Sequence, residues 1–517
     1  MGSQLTVVLM TALAAALLMI AVARFKSGNT TSTMLLIVAT AGILRFVAAT
    51  DLFLHPWDER YHALVAKHLM AEPFTPTLYR TPVLDYDYRH WYENHIWLHK
   101  PPLTLWLMAA SMRLFGVNEL AIRLPSILFS TLAVLCTWSV GRRLFDERTA
   151  TLAASLHAID GQLLDLAGGR APTDHVDTMT VVFIAIGCSI AVTARSERSW
   201  MRATGAGVAA GLVMLTKSFV GMLIPLVWLV ARWRRGDVPR VLLEVLAIGL
   251  IAFTLWLPWQ LHIHLCFPEE AKWEAEYGLR HFVETLEGHG HPPWYYAKRL
   301  ARTGGWTSVA AVAWFIGVIG CGKYRRGWPA VLAWIVLPFG VFSLAATKMP
   351  AYTAVAAPAV FVVVAAFWWK LRDVQRGISS RPLLRWSVIT LLALTLLLPG
   401  IYAVERLKLH GRYDRDPSWA QQIRMLPVQL GDKPTVILGS IHPIETMFYT
   451  DYIAYSRAAP RPKVVRQLQR QGYRVLVDDG VSLFREVAPG DSPPESIASE
   501  RLPLRYPAGM PSSSSTR

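Results

Sequence analysis

The chain has 517 residues, of which 53% are hydrophobic and only 17% charged, and its mean hydropathy is +0.32. Soluble domains carry about 25% charged residues, so the composition argues against a cytosolic enzyme and a polytopic membrane protein is expected. The balance of 52 Lys and Arg against 36 Asp and Glu, a formal net charge of +16, would suit a nucleic-acid partner. Here the cations fall in short loops between apolar runs, which is how membrane topology distributes them, and no nucleic-acid partner is expected.

About twelve apolar segments follow in chain order: residues 5–23, 34–50, 124–141, 149–166, 176–193, 203–216, 219–231, 240–258, 306–320, 328–345, 354–370 and 386–402. Most approach the length of a transmembrane helix, about 17–25 residues, whereas 203–216 and 219–231 are short for full crossings. The loops holding Arg24/Lys26, Arg142/Arg143/Arg148, Arg195/Arg198/Arg202, Arg232/Arg234/Arg235, Lys323/Arg325/Arg326 and Lys370/Arg372/Arg376 are short and basic. They are expected on the cytoplasmic side. Segments 51–123, 259–305 and 403–517 are long and are expected to face outward. Residues 1–23 contain no Lys or Arg. A cleaved signal peptide would need a positive leading region, so an uncleaved helix with its N-terminus outside is expected. Four cysteines are too few for a disulfide framework.

Beyond residue 403 the composition changes. Residues 434–440 (PTVILGS) and 473–479 (YRVLVDD) read as short buried strands, and 444–455 and 463–471 as helices, with Gly472 as a C-cap. The expected layout is a transmembrane catalytic domain over 1–402, a soluble extracytoplasmic α/β domain over 403–510, and a polar, disordered tail over 511–517.

The first outward loop, 51–123, carries the most chemistry. It opens His55-Pro56-Trp57-Asp58-Glu59-Arg60-Tyr61-His62. Two carboxylates directly after a span suit a general base for an acceptor hydroxyl; they also suit the first turn of a helix, which Ala63–Met70 continues. Further on, His99-Lys100-Pro101-Pro102-Leu103 places a lysine just ahead of an apolar helix. That lysine suits a lipid phosphate and equally suits an interfacial anchor.

Taken in order, Asp58-Glu59, then His99-Lys100-Pro101-Pro102-Leu103, then Gly116 and Arg123-Leu124-Pro125-Ser126 resemble the protein O-mannosyltransferase and lipid A aminoarabinose-transferase superfamily over roughly residues 34–370. The resemblance implies an all-α, GT-C-like fold of about twelve transmembrane helices, with the small C-terminal α/β domain outside. It also implies a glycosyltransferase that moves a single sugar, with inversion, from a polyprenyl-phosphate donor. The acceptor would be a lipid, glycan or protein at the outer face of a bacterial inner membrane. Carried over residue by residue, the resemblance makes Asp58 the catalytic base, with Glu59 and Asp174 beside it in the acidic set. Lys100, Lys348, Arg170 and Lys217 become donor-phosphate ligands. Tyr61, His62, Asp165, Asp177 and Tyr352 line the substrate cavity. Between Asp174 and Asp177 the spacing after Arg170 leaves the second acid open, with Asp174 favoured.

Two departures from the pattern stand out. In the aminoarabinose branch a glutamate precedes the motif lysine and helps to hold a divalent metal; here that position is His99, and the resemblance implies a divalent ion near the donor phosphates, held by His99 and a residue of the 262–291 loop. Those relatives often have Tyr where this chain has His62. His262 with His264, and His289 with His291, are each two apart, which is poor spacing for one helix face, and no CxxC or HExxH motif is present. His157 lies deep in an apolar segment and reads as a structural, hydrogen-bonded histidine. The rival reading is a lipid or glycan transporter or flippase, which tends toward internal repeats and ionisable groups at the midplane; this chain gathers its ionisable residues in outward loops instead.

Overall fold

The computed structural model describes residues 4–194, 199–233, 237–377, 382–409, 413–456, 462–477 and 485–486. The chain divides into two compact units, Met1–Ala420 and Gln421–Arg517. The first is all helical: α1 (Gln4–Lys26), α2 (Thr30–Ala48), α3 (Asp58–Leu69), α4 (Leu103–Phe115), α5 (Glu119–Leu144), α6 (Glu147–Ile159), α7 (Gly161–Ala167), α8 (Asp174–Val192), α9 (Ser199–Lys217), α10 (Leu223–Arg232), α11 (Val238–Cys266), α12 (Pro268–Val283), α13 (Tyr295–Gly304), α14 (Trp306–Gly320), α15 (Trp328–Leu344), α16 (Ala357–Gly377) and α17 (Pro382–Arg406). All twelve expected apolar segments fall on helix. Eight helical stretches among the described residues are long and apolar enough to cross a membrane, or nine if the bent pair α13–α14 counts as one. This is a multi-pass membrane protein.

Helix α8 is the axis of the bundle, buried along nearly its whole length. Helices α9 and α11 approach closely because Gly207 and Gly211 present no side chain: a Cβ on either would come within 3 Å of Ile251 or Leu255. Small residues permit such contact where packing, not the exclusion of water, holds helices together.

Two expectations are refined. The segment 149–166 is broken at Asp160, whose carboxylate accepts the Leu163 N–H at 2.9 Å and starts α7 as a new helix. The stretch Ser199–Arg232 is apolar over 34 residues, and a straight helix of that length would part its ends by about 50 Å. Its ends in fact meet. Arg240 reaches Ser199 at 2.8 Å and Glu244 at 3.3 Å, and Glu244 also takes Arg232 at 3.3 Å. The chain turns back through a short 3-10 segment, Ser218–Met222, where Gly221 lies so near Ala210 that a Cβ would sit 2.7 Å from its carbonyl. Helices α9 and α10 are thus a hairpin, and Lys217 sits at its turn.

The second unit holds most of α18 (Ser418–Leu430), then β1 (Thr435–Leu438), α19 (Pro443–Tyr449), β2 (Ile453–Ala454), α20 (Pro462–Arg470), β3 (Arg474–Val477) and β4 (Arg485–Glu486). The sheet order is β2-β1-β3-β4, parallel except for β4. Helix α19 stops at Tyr449 rather than running to 455, because Ile453 and Ala454 pair with β1. Gly472, at φ +90°, ends α20 as expected. The 511–517 tail and the end of the 473–479 strand lie outside the described residues.

The hairpin predicts that Trp200→Cys and Trp233→Cys, tested separately with Cys266 and Cys321 replaced by Ser, react with an impermeant thiol reagent from the same side of sealed vesicles. Labelling from opposite sides would mean a single straight span.

Candidate functional site

The site begins where the chain leaves α2. Arg123, one turn into α5, is wholly buried and uses every donor it has. Its Nε donates to Glu59 Oε1 at 2.7 Å and its Nη2 to Glu59 Oε2 at 2.9 Å and to the Phe53 carbonyl at 2.6 Å. Its Nη1 donates to the Ala49 carbonyl at 3.1 Å and to that of Asp51. The planar fork therefore gathers the whole turn between α2 and α3.

That turn ends in strain. Trp57 has φ +79°, a left-handed value rare for a bulky residue, directly before Asp58 starts α3. Opposite, Thr173 has φ +67° directly before Asp174 starts α8. The two join: the Thr173 N–H donates to Asp58 Oδ2 at 2.6 Å. Asp58 Oδ1 lies 3.9 Å from Lys100 Nζ. Burial pushes the Asp58 carboxyl up, but the Lys100 ammonium, the imidazoles of His62 and His99 and the Thr173 N–H outweigh it and hold it at about 2. Asp58 is therefore ionised at neutral pH.

Glu59 points the other way. Besides Arg123, its oxygens meet His55 Nδ1 at 2.6 Å and His175 Nε2 at 3.2 Å. Burial raises its carboxyl, yet Arg123 and the two histidines hold it well below the usual range. His55 in turn bridges to Asp51 at 3.0 Å. Burial disfavours the imidazolium, but the carboxylates of Glu59 and Asp51 more than compensate, so the His55 pKa is raised.

The two acids of α8 part ways. Asp174 Oδ1 lies 2.9 Å from His62 Nδ1, while Asp174 Oδ2 and His62 Nε2 are buried without a hydrogen-bond partner among the described residues. Asp177 pairs with Lys217 and accepts the Thr173 hydroxyl. Lys217 also lies 4.4 Å from the centre of the Tyr352 ring. Lys348 is buried; its Nζ donates to the Ala345 carbonyl at 2.5 Å and its N–H to the His289 carbonyl at 2.9 Å. Tyr61 is buried edge-on to Trp91, at 5.0 Å.

Two expected residues stand apart from Asp58. Arg170 donates to Asp51 at 2.8 Å and to the Arg406 carbonyl at 2.7 Å, and Asp165 lies 3.4 Å from Arg406. His157 bonds Thr137 at 2.7 Å, the structural role expected of it.

His99 stacks on Trp91 at 4.6 Å and meets Glu274 of α12 at 3.3 Å. Among the described residues no three His, Cys, Asp or Glu side chains converge as a metal site. A pair falls one short of the three protein ligands of a catalytic zinc centre. An ion held by His99 and Glu274 would need its remaining ligands from phosphate oxygens and water.

Several participants carry no sequence signal as ligands: Arg123 beyond its place in a motif, Asp51, His55, His175, Glu274, and the Thr173 N–H. The one readable hint is Arg123 itself, a cation placed inside an apolar helix.

Residues 99–259 match the family described as dolichyl-phosphate-mannose-protein mannosyltransferase. Among curated proteins, the chain is 28% identical over 267 residues to undecaprenyl phosphate-alpha-4-amino-4-deoxy-L-arabinose arabinosyl transferase 2 of Pseudomonas fluorescens, covering 50% of this chain and 44% of that protein. It is 31% identical over 280 residues to the corresponding transferase of Pseudomonas aeruginosa, covering 50% and 47%. The chain thus spans about half the length of the curated relatives it matches. The crystal structure of ArnT from Cupriavidus metallidurans bound to undecaprenyl phosphate superposes with a TM-score of 0.64 at 16% identity, over 86% of this chain and 92% of that one. The fold is GT-C-like.

Two outcomes follow from the geometry. Gly169 has φ +77°, and a Cβ there would stand 1.9 Å from Glu59 Oε1. Gly169→Ala is expected to cost about 3 kcal/mol, from overpacking plus left-handed strain, read as a fall in Tm; an unchanged Tm would mean that Glu59 yields freely. The raised pKa of His55 stabilises the fold fully below its unfolded value of about 6.5, and this contribution is lost as pH rises through the folded value. Wild-type Tm should therefore fall above about pH 6.5 relative to His55→Gln, and parallel Tm profiles would contradict the assignment.

Proposed function

We propose that this chain is a membrane glycosyltransferase that moves one sugar from a polyprenyl-phosphate donor to a hydroxyl or phosphate of a lipid, glycan or protein acceptor. The observation that carries the reading is Asp58. It is an ionised carboxylate with one oxygen held by the Thr173 N–H and the other facing the Lys100 ammonium. An acid and a cation so placed suit the two ends of a displacement. Asp58 Oδ1 takes the acceptor's proton as the acceptor oxygen bonds the anomeric carbon. The bond from that carbon to the phosphate oxygen breaks, and its electron pair leaves on the phosphate. Attack opposite the leaving group inverts the anomeric centre.

Lys100 and Lys348 offset the charge left on the phosphate, a stabilisation worth most where water is scarce. A carboxylate held at about 2 is ionised but weakly basic. A donor phosphate that engages Lys100 weakens the pull on Asp58 and raises its basicity as substrate binds. Glu59, whose oxygens are taken by Arg123 and two histidines, orients the turn rather than moving a proton. Lys217 is balanced by Asp177 and lies against the Tyr352 ring, while Asp174 and His62 pair with each other in a buried position. Arg170 serves the support behind the turn.

The names of the relatives make an undecaprenyl-phosphate aminoarabinose donor, with lipid A as acceptor, the first pair to assay. The location read here is a bacterial inner membrane with the site on the extracytoplasmic side. The ends of α5, α9, α10 and α11 that carry Arg142, Arg143, Arg202, Arg232 and Arg240 support it, since basic loops stay inside.

Asp58→Asn should abolish transfer while Tm and donor binding persist, and full activity in that variant would remove Asp58 from the mechanism. Native mass spectrometry of the purified protein should release a polyprenyl phosphate, lost in Lys100→Ala. Bulk phospholipid alone, even after synthetic polyprenyl phosphate is added, would sink the donor assignment.

A further inference from the structure

The geometry points to a remote positioning device for Asp58: the segment after α17 straps the turn between α2 and α3 through Arg415, Tyr413 and Asp51. This inference rests on reading Asp58 as the base. Asp51 is wholly buried and takes partners from three parts of the chain. His55 Nε2 lies at 3.0 Å, Arg170 Nε at 2.8 Å, Arg415 Nη1 at 2.7 Å and the Tyr413 hydroxyl at 3.1 Å. Arg415 is itself buried and grips the same turn twice more: its Nη1 donates to Thr50 Oγ1 at 3.0 Å, and its carbonyl accepts the Leu52 N–H at 2.6 Å. Its Nη2 returns to the Leu407 carbonyl at 2.8 Å, closing the strap on the end of α17. Trp419 adds an edge-on contact to Phe53 at 5.9 Å.

From Asp51 the hold passes forward. His55 joins Asp51 to Glu59, and Glu59 is the chain neighbour of Asp58. The strained Trp57 lies between these anchors, with His55 fixed on one side and Asp58 tied to Thr173 on the other. A residue in that conformation persists only where its surroundings over-determine it. Loosening Asp51 lets Trp57 relax and swings the Asp58 carboxylate away from Lys100. The pairing is also electrostatically committed: Arg170 and Arg415 are two buried cations whose shared carboxylate is Asp51, and a buried charge left without its partner is strongly destabilising. Arg415, Tyr413 and Asp51 are thus positioning residues. They touch no substrate and act through His55 and Glu59.

The test uses the full-length protein with Arg415→Gln and the milder Tyr413→Phe, which removes a single hydroxyl. Turnover is measured with undecaprenyl-phosphate aminoarabinose and lipid A, and amide hydrogen exchange is followed across the chain. Arg415→Gln should lower kcat by about tenfold to a hundredfold, the scale of a small misplacement of a reacting group, with donor KM little changed. Exchange should rise over residues 52–62 and stay unchanged in α8. Tyr413→Phe should move both readouts the same way by less, and it carries the test if Arg415→Gln does not fold. Faster exchange with kcat intact would overturn the positioning role, as would unchanged exchange in 52–62. If the wild type transfers no sugar while 52–62 loosens in both variants, the functional reading fails and the strap stands.

Discussion

Everything at this site depends on one buried guanidinium. Arg123 brings a full positive charge into a helical bundle, where an ion without partners costs several kcal/mol. The cost is met by Glu59, at the start of α3, and by the carbonyls of Ala49, Asp51 and Phe53, three residues outside any regular element. Irregular backbone is tolerated in a buried position only if its polar groups are paired. The arginine and the turn therefore need each other, and the turn sets where α3 begins. The first residue of α3 is Asp58.

A second layer of control is electrostatic. Asp58 and Glu59 are sequence neighbours with opposite tasks. Glu59 faces inward to Arg123, His55 and His175, while Asp58 faces Lys100 and the start of α8. The alternation comes from their positions in the first helical turn, about 100° apart around the axis. On α8, Asp174 and Asp177 divide in the same way between His62 and Lys217. Four acids within reach of one another thus avoid sharing a site, because each has a cation or imidazole of its own.

Much of this was legible in the residues. Apolar runs bounded by arginines mark helices whatever their partners, and even the two short segments that form the α9–α10 hairpin stand out by length. Asp58, Lys100 and Lys217 are chemically conspicuous against apolar surroundings. The rest needed the fold. The bonds of Arg123 span some 64 to 74 positions, and a lone arginine near a helix start reads equally well as an interfacial cation. Arg170 matches a phosphate ligand by type, yet the nearby Asp51 claims it. His99 finds Glu274 175 positions away, a pairing that no local pattern announces. The end of α19 at Tyr449 is likewise decided by a strand partner rather than by propensity.

The sharp corner between α13 and α14 has a mechanical meaning. The two helices meet at 117°, at Gly305 with φ +75°. Helix α14 is apolar, whereas α13 exposes Lys298 and Arg302 and buries Tyr296. The corner therefore sets a short polar helix at a steep angle to an apolar one. The Tyr296 hydroxyl donates to the Met349 carbonyl at 3.0 Å, one residue beyond Lys348. The position of that lysine is therefore tied to the short helix α13 as well as to the bundle. The corner at Gly305 thus acts as a bracket that fixes where a single cation can sit.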